Sequence, residues 1–212
     1  MYNPFLFGDT PLEIANHFDS EDYVYDIELN PIKGIFKPEI QQKQYEFALI
    51  LPPEYYHSIV TSYQLHKHHH LFDGYQFYIS YHENLCFITI PTISRNHTNC
   101  FVSKLHEYIS FRKVVTIEWN DQIKIIQQMC NNKSNSIEIN NEFEQMKLPN
   151  ALNTINASFF TFCVFNQMDC VSIHCPPIRK QVEDIIVYLR KVTGLEKIQL
   201  PNTSFSLSNL YA

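Results

Sequence analysis

The stretch from Cys170 to Gly194 restricts the fold more than any other part of the chain. Cys170-Val171-Ser172-Ile173-His174-Cys175 is a short, largely apolar run, and Pro176-Pro177 stops it. A run of this length and composition reads as a β-strand. The period then changes. Ile178, Val182, Ile185, Ile186, Leu189 and Val192 fall on one stripe of a helix that follows the proline pair and ends before Gly194, the expected punctuation at both ends. A strand that feeds an amphipathic helix in this way needs a sheet beneath it to cover the helix's apolar side.

The same alternation recurs upstream. Glu46–Leu51 is an apolar run stopped by Pro52-Pro53 and reads as a buried strand, and the spacing of Tyr55, Ile59 and Tyr63 predicts a helix from Glu54 to Tyr63. Gln76–Tyr81 and Leu85–Thr92 form a hairpin pattern around His82-Glu83-Asn84. Thr98 is expected to cap a helix reaching Phe111, with Phe101, Val102, Leu105, Tyr108 and Ile109 on one face. Lys113–Trp119 is rich in β-branched residues and reads as a strand; Leu148–Gln167 reads as a helix. The first 45 residues, punctuated by Pro4, Pro11, Pro31 and Pro38, predict extended segments and turns, with one strand at Tyr23–Leu29. Together these elements predict an α/β fold: a mixed central β-sheet flanked by helices in a single domain, residues 1–195, with a flexible C-terminal tail, residues 196–212. The polar, Asn-rich residues 131–145 are expected to be a mobile surface loop.

Composition removes several functions. The 212 residues are 45% apolar and 14% aromatic, which argues against a largely disordered chain. A net charge of −6 without a Lys/Arg cluster argues against a nucleic-acid binder, and no nucleic-acid partner is expected. The amino terminus lacks a basic region followed by an apolar stretch, and no apolar run approaches the roughly 20 residues of a membrane helix. A soluble protein of the cytoplasm, and also of the nucleus, is expected, with no membrane partner.

Motifs for chemistry are missing as well. Four glycines, Gly8, Gly34, Gly74 and Gly194, do not cluster into a phosphate-cradling loop. The six cysteines form no C-x-x-C pair and read as buried, reduced thiols. The run His66-Lys67-His68-His69-His70 lacks the helical spacing of metal ligands, even with His82 or Cys86 added, and is expected in a solvated loop. Cys163 with His174 offers a nucleophile and a base, but the aromatic surroundings of Cys163 favour core packing. The carboxylate pairs Glu21/Asp22 and Glu183/Asp184 read as solvated faces. The expectation is a protein that is not an enzyme and uses no metal or cofactor. The alternatives are a small-molecule enzyme on the same scaffold, which would need a concave pocket with polar groups at the strand ends, and an interaction subunit of another complex.

What remains is the carboxyl end. After Gly194 the chain is irregular and closes with Asn209-Leu210-Tyr211-Ala212. An apolar side chain, a phenol and a free carboxylate make a compact recognition element: buried area, one rigid ring with a hydroxyl, and an anion for a lysine. The segment from Leu148-Pro149-Asn150-Ala151-Leu152 through Phe162-Cys163-Val164-Phe165 to Asp169-Cys170-Val171-Ser172-Ile173-His174, followed by an amphipathic helix and this ending, resembles the C-terminal region of the proteasome assembly chaperone 1 family. The resemblance covers about the last third of the chain. It implies a chaperone of 20S proteasome assembly that works as a heterodimer with a second assembly chaperone on the α-ring. It also implies that Leu210, Tyr211 and Ala212, a hydrophobic–Tyr–any tail, insert into a pocket between proteasome α-subunits.

Overall fold

The computed structural model describes residues 34–38, 40, 43–89, 93–131, 136–137, 139–146 and 155–200. The strand expected at Tyr23–Leu29, the start of the helix expected from Leu148, and the tail beyond Leu200 lie outside the described residues.

In chain order the elements are β1 (Phe36–Lys37), β2 (Lys43–Leu51), α1 (Pro53–Tyr63), β3 (His68–Phe72), β4 (Tyr75–His82), β5 (Leu85–Thr89), α2 (Arg95–Tyr108), β6 (Ile109–Trp119), β7 (Gln127–Asn131), β8 (Glu144–Gln145), α3 (Ile155–Phe165), β9 (Asp169–Cys175) and α4 (Arg179–Thr193). The strands form one mixed sheet in the order β1-β3-β4-β5-β2-β6-β9-β7-β8. Its centre, β5-β2-β6-β9, is parallel. The flanks β1/β3, β3/β4, β4/β5 and β9/β7 are antiparallel, and β8 adds in parallel to β7.

The parallel centre is apolar on both faces, as a sheet covered on both sides requires. Along β2, Phe47, Leu49 and Leu51 join one core, with Tyr55, Ile59, Val182, Ile185 and Leu189 of α1 and α4. Ala48 and Ile50 join the other, with Phe101, Leu105, Phe159 and Cys163 of α2 and α3. On β9, Val171 and Ile173 point to the first core and Cys170 to the second. This alternation of period two gives each helical layer its own seat.

Three expectations are corrected. The helix expected from Thr98 to Phe111 begins after Ser94 and ends at Tyr108. Ile109 and Phe111 pair with Lys43 and Tyr45 of β2, so strand pairing outweighs helical periodicity there. Thr98 lies inside the helix, buried, and its hydroxyl accepts a hydrogen bond from Ser158 of α3 at 2.8 Å. The His run is not all loop: His68, His69 and His70 are three of the five residues of β3, paired with Ile79, Tyr78 and Phe77. Within 131–145, Ile137 and Phe143 are buried in the α1/α4 core and Glu144–Gln145 pair with β7. Gln128 donates to the carbonyls of Asn140 (2.6 Å) and Phe143 (3.3 Å), fastening that connection to the sheet.

Candidate docking surface

The C-terminal tail has its root on α1. Pro53 occupies the first turn of α1, and Tyr55, Tyr56, Ile59 and Val60 bury one side of the helix. Tyr55 stacks on Trp119 at 5.1 Å, and the Trp119 indole N–H donates to Glu54 at 3.0 Å. The opposite side presents Pro53, His57 and Thr61, spaced by four, to solvent. Gln64 in the left-handed region (φ 51°) ends the helix.

Residues 195–200 run against this helix. Gly194 ends α4 in the left-handed region (φ 71°), a conformation that glycine adopts without strain. Leu195 and Ile198 then bury their side chains, 6% and 0% exposed, in the α1/α4 core. The guanidinium of Arg190 donates twice to the Ile198 carbonyl, at 3.1 and 2.6 Å. The Lys197 N–H donates to the Tyr63 hydroxyl (2.8 Å), the Gln199 N–H to Ser62 Oγ (3.3 Å), and Ser58 Oγ to the Gln199 carbonyl. The body expected to end at 195 therefore holds its chain to Leu200. Beside this strap lies an open cleft of about 360 Å³ lined by Pro53, Glu54, His57, Ser58, Thr61, Ser62, Gln199 and Leu200. Partial burial, with Lys67 nearby, lowers the His57 pKa, so its imidazole is neutral near pH 7. Leu210, Tyr211 and Ala212 themselves lie outside the described residues.

Of the other residues singled out for chemistry, the cysteine and the histidine paired in sequence reasoning, Cys163 and His174, are buried. Cys163 and Cys170 sit together in the α2/α3 core, where burial pushes the Cys170 thiol well above its ordinary value. Cys86 is pushed up by the same cause, and Cys175 to about 12. With their pKa raised, Cys86, Cys170 and Cys175 are protonated and poor nucleophiles. His174 is 1% exposed, with Nδ1 2.6 Å from Glu118 on the neighbouring strand. His66 and His68 lie with ring centroids 4.6 Å apart, but among the described residues no group of three or more His, Cys, Asp or Glu side chains is arranged to hold a metal. Glu183 and Asp184 are exposed on α4, Glu183 3.6 Å from Arg179; Glu21 and Asp22 lie outside the described residues.

A second, shallower opening of about 660 Å³ lies where β6 and β9 pass Lys113 and Asp169. This is toward the amino end of the parallel strands, away from the carboxyl-end crevice in which open α/β sheets bind small ligands. Lys113 is paired with Glu46 there at 2.8 Å. The strap and its cleft had no motif for sequence reasoning to find. The one signal was Leu195 and Ile198, two apolar residues in a segment otherwise read as tail.

No family model matches the chain, and no curated protein matches it in sequence. Solved structures do match in shape. A Thermoplasma acidophilum protein of unknown function superposes with a TM-score of 0.57 at 12% identity, covering 74% of this chain and 81% of that one. Pyrococcus furiosus PbaA, an archaeal homolog of proteasome-assembly chaperone, gives 0.56 at 8% identity, covering 74% and 82%. P. furiosus PbaB, an archaeal proteasome activator, gives 0.53 at 12% identity, covering 76% and 87%. The chain shares their fold. No helix among the described residues is long and apolar enough to cross a membrane.

Proposed function

We propose that this chain is a non-catalytic chaperone of 20S proteasome assembly. In this reading it acts on the α-ring as a heterodimer with a second assembly chaperone, and Leu210-Tyr211-Ala212 is the docking tag that enters a pocket between α-subunits. The observation that carries the reading is the meeting of two independent likenesses. The last third of the sequence resembles assembly chaperone 1, and the fold is that of an archaeal homolog of proteasome-assembly chaperone. The root of the tail is consistent with it: residues 195–200 are held as a strap on α1, and Leu200 is exposed at the surface. Action by binding also suits the buried, neutral thiols of the core.

The tail would work through three contacts. Leu210 contributes buried apolar area. Tyr211 contributes a rigid ring and one hydroxyl hydrogen bond. The Ala212 carboxylate pairs with a lysine at the pocket floor. Release would follow when the maturing ring changes shape and the pocket loses affinity for the tail. Purification from native lysate with nothing appended after Ala212, followed by identification of the bound chains, tests the assignment. Proteasome α-subunits together with a second α/β chaperone are expected. Another complex without α-subunits would mean an interaction subunit of a different assembly.

A further inference from the structure

We infer that the outer row of α1, Pro53, His57 and Thr61, with the cleft beside it, is the face of the body that lies against the α-ring. This inference rests on the tail-docking reading above. The strap fixes Leu200 next to this row through Ile198, Arg190 and the hydroxyls of Ser58 and Ser62. Only nine residues separate Leu200 from Leu210, and the ten steps between them reach at most about 36 Å when fully extended. A tail seated in its pocket therefore holds the α1 row close to the rim of that pocket. The α2 and α3 layer lies on the opposite side of the sheet from Leu200.

The chemistry of the face fits that position. The cleft offers hydroxyls from Ser58, Thr61 and Ser62, the Gln199 amide, and the His57 imidazole, kept neutral near pH 7. Its one carboxylate, Glu54, is already bonded to Trp119. Such a surface suits an uncharged, hydrogen-bonding stretch of the α-subunit's outer surface. Polar and hydrated contacts of this kind belong to interfaces that must later come apart. The body and the tail then bind as two linked contacts, and the short linker between them raises the effective concentration of the second.

The test uses the full chain and isolated 20S particles. A 20-residue Gly/Ser insertion between Leu200 and Pro201 should weaken binding about sixfold, because effective concentration falls with roughly the −3/2 power of linker length. A tail that binds with the body hanging free would be unaffected by the insertion, and that result would overturn the inference. Thr61→Arg should weaken binding, while Ser103→Arg, exposed on α2, should leave it unchanged; the reverse pattern would place the contact on the opposite layer and also overturn it. Deleting Leu210–Ala212 separates the two claims. If that deletion abolishes binding while the insertion and Thr61→Arg change nothing, the tail reading stands and the α1 face falls. If the deletion itself changes nothing, both fall.

Discussion

At the scale of single residues, the histidines carry a measurable pH signature. His106 lies edge-on to Phe111 and Phe162, with ring centroids at 4.8 and 5.0 Å, and its buried Nδ1 has no partner among the described residues. Burial lowers its pKa in the folded state. Burial also lowers that of His70, although a hydrogen bond between Nδ1 and the Pro38 carbonyl at 3.1 Å opposes the shift. An unfolded histidine titrates near 6.5. Below that value the unfolded chain takes up protons that the folded chain refuses, so stability falls as pH drops from about 6.5 toward the lower folded values. His106→Phe, which keeps the aromatic packing and removes the proton site, should raise Tm more at pH 5.5 than at pH 7.5. Equal shifts at the two pH values would mean that the imidazole is not the source. The thiols give a second expectation. In the native state an aromatic disulfide reagent should reach Cys100 and Cys130 but not Cys86, Cys163, Cys170 or Cys175, which are buried. All six should react once the chain is unfolded.

Among the elements, those that announced themselves were the ones with two agreeing signals. β2, α1, the β4/β5 hairpin, β9 and α4 each combine an apolar period with a turn or proline boundary, and the structure has all of them. β3 was hidden because three consecutive histidines mask its alternation: His70 is buried while His68 and His69 are exposed. β8 and its approach were hidden because two apolar anchors, Ile137 and Phe143, sit in a polar stretch whose average reads as loop. Thr98 failed as a cap for a different reason. Its hydroxyl is used for a long-range bond to Ser158, and no local pattern reveals such a partner. The strap was invisible for the same reason, since its bonds reach back more than 130 residues to α1. It makes a stability prediction of its own. Ile198→Ala should cost roughly 2–5 kcal/mol in equilibrium denaturation, the range for emptying a closed core position. An effect under about 0.5 kcal/mol, the range of ordinary surface substitutions, would mean that the strap is loosely held.

On the scale of the whole molecule, a parallel four-strand centre carries a separate apolar core on each face, and residues 195–200 bring the chain to its surface beside α1. The fold class was legible because strand–helix alternation leaves few other ways to bury both faces of a sheet. The docking surface was only half legible. The docking role of the tail is proposed from its three terminal residues alone, whereas the place where the chain leaves the body depends on contacts between distant segments. The central claim is that the tail is the grip. Binding of the untagged chain to latent 20S particles, measured side by side with a chain lacking Leu210–Ala212 and with Tyr211→Ala, tests it most directly. The account predicts at least a tenfold loss on deletion, about 1.4 kcal/mol, and a smaller loss for Tyr211→Ala. Equal affinity for the intact and shortened chains would contradict it.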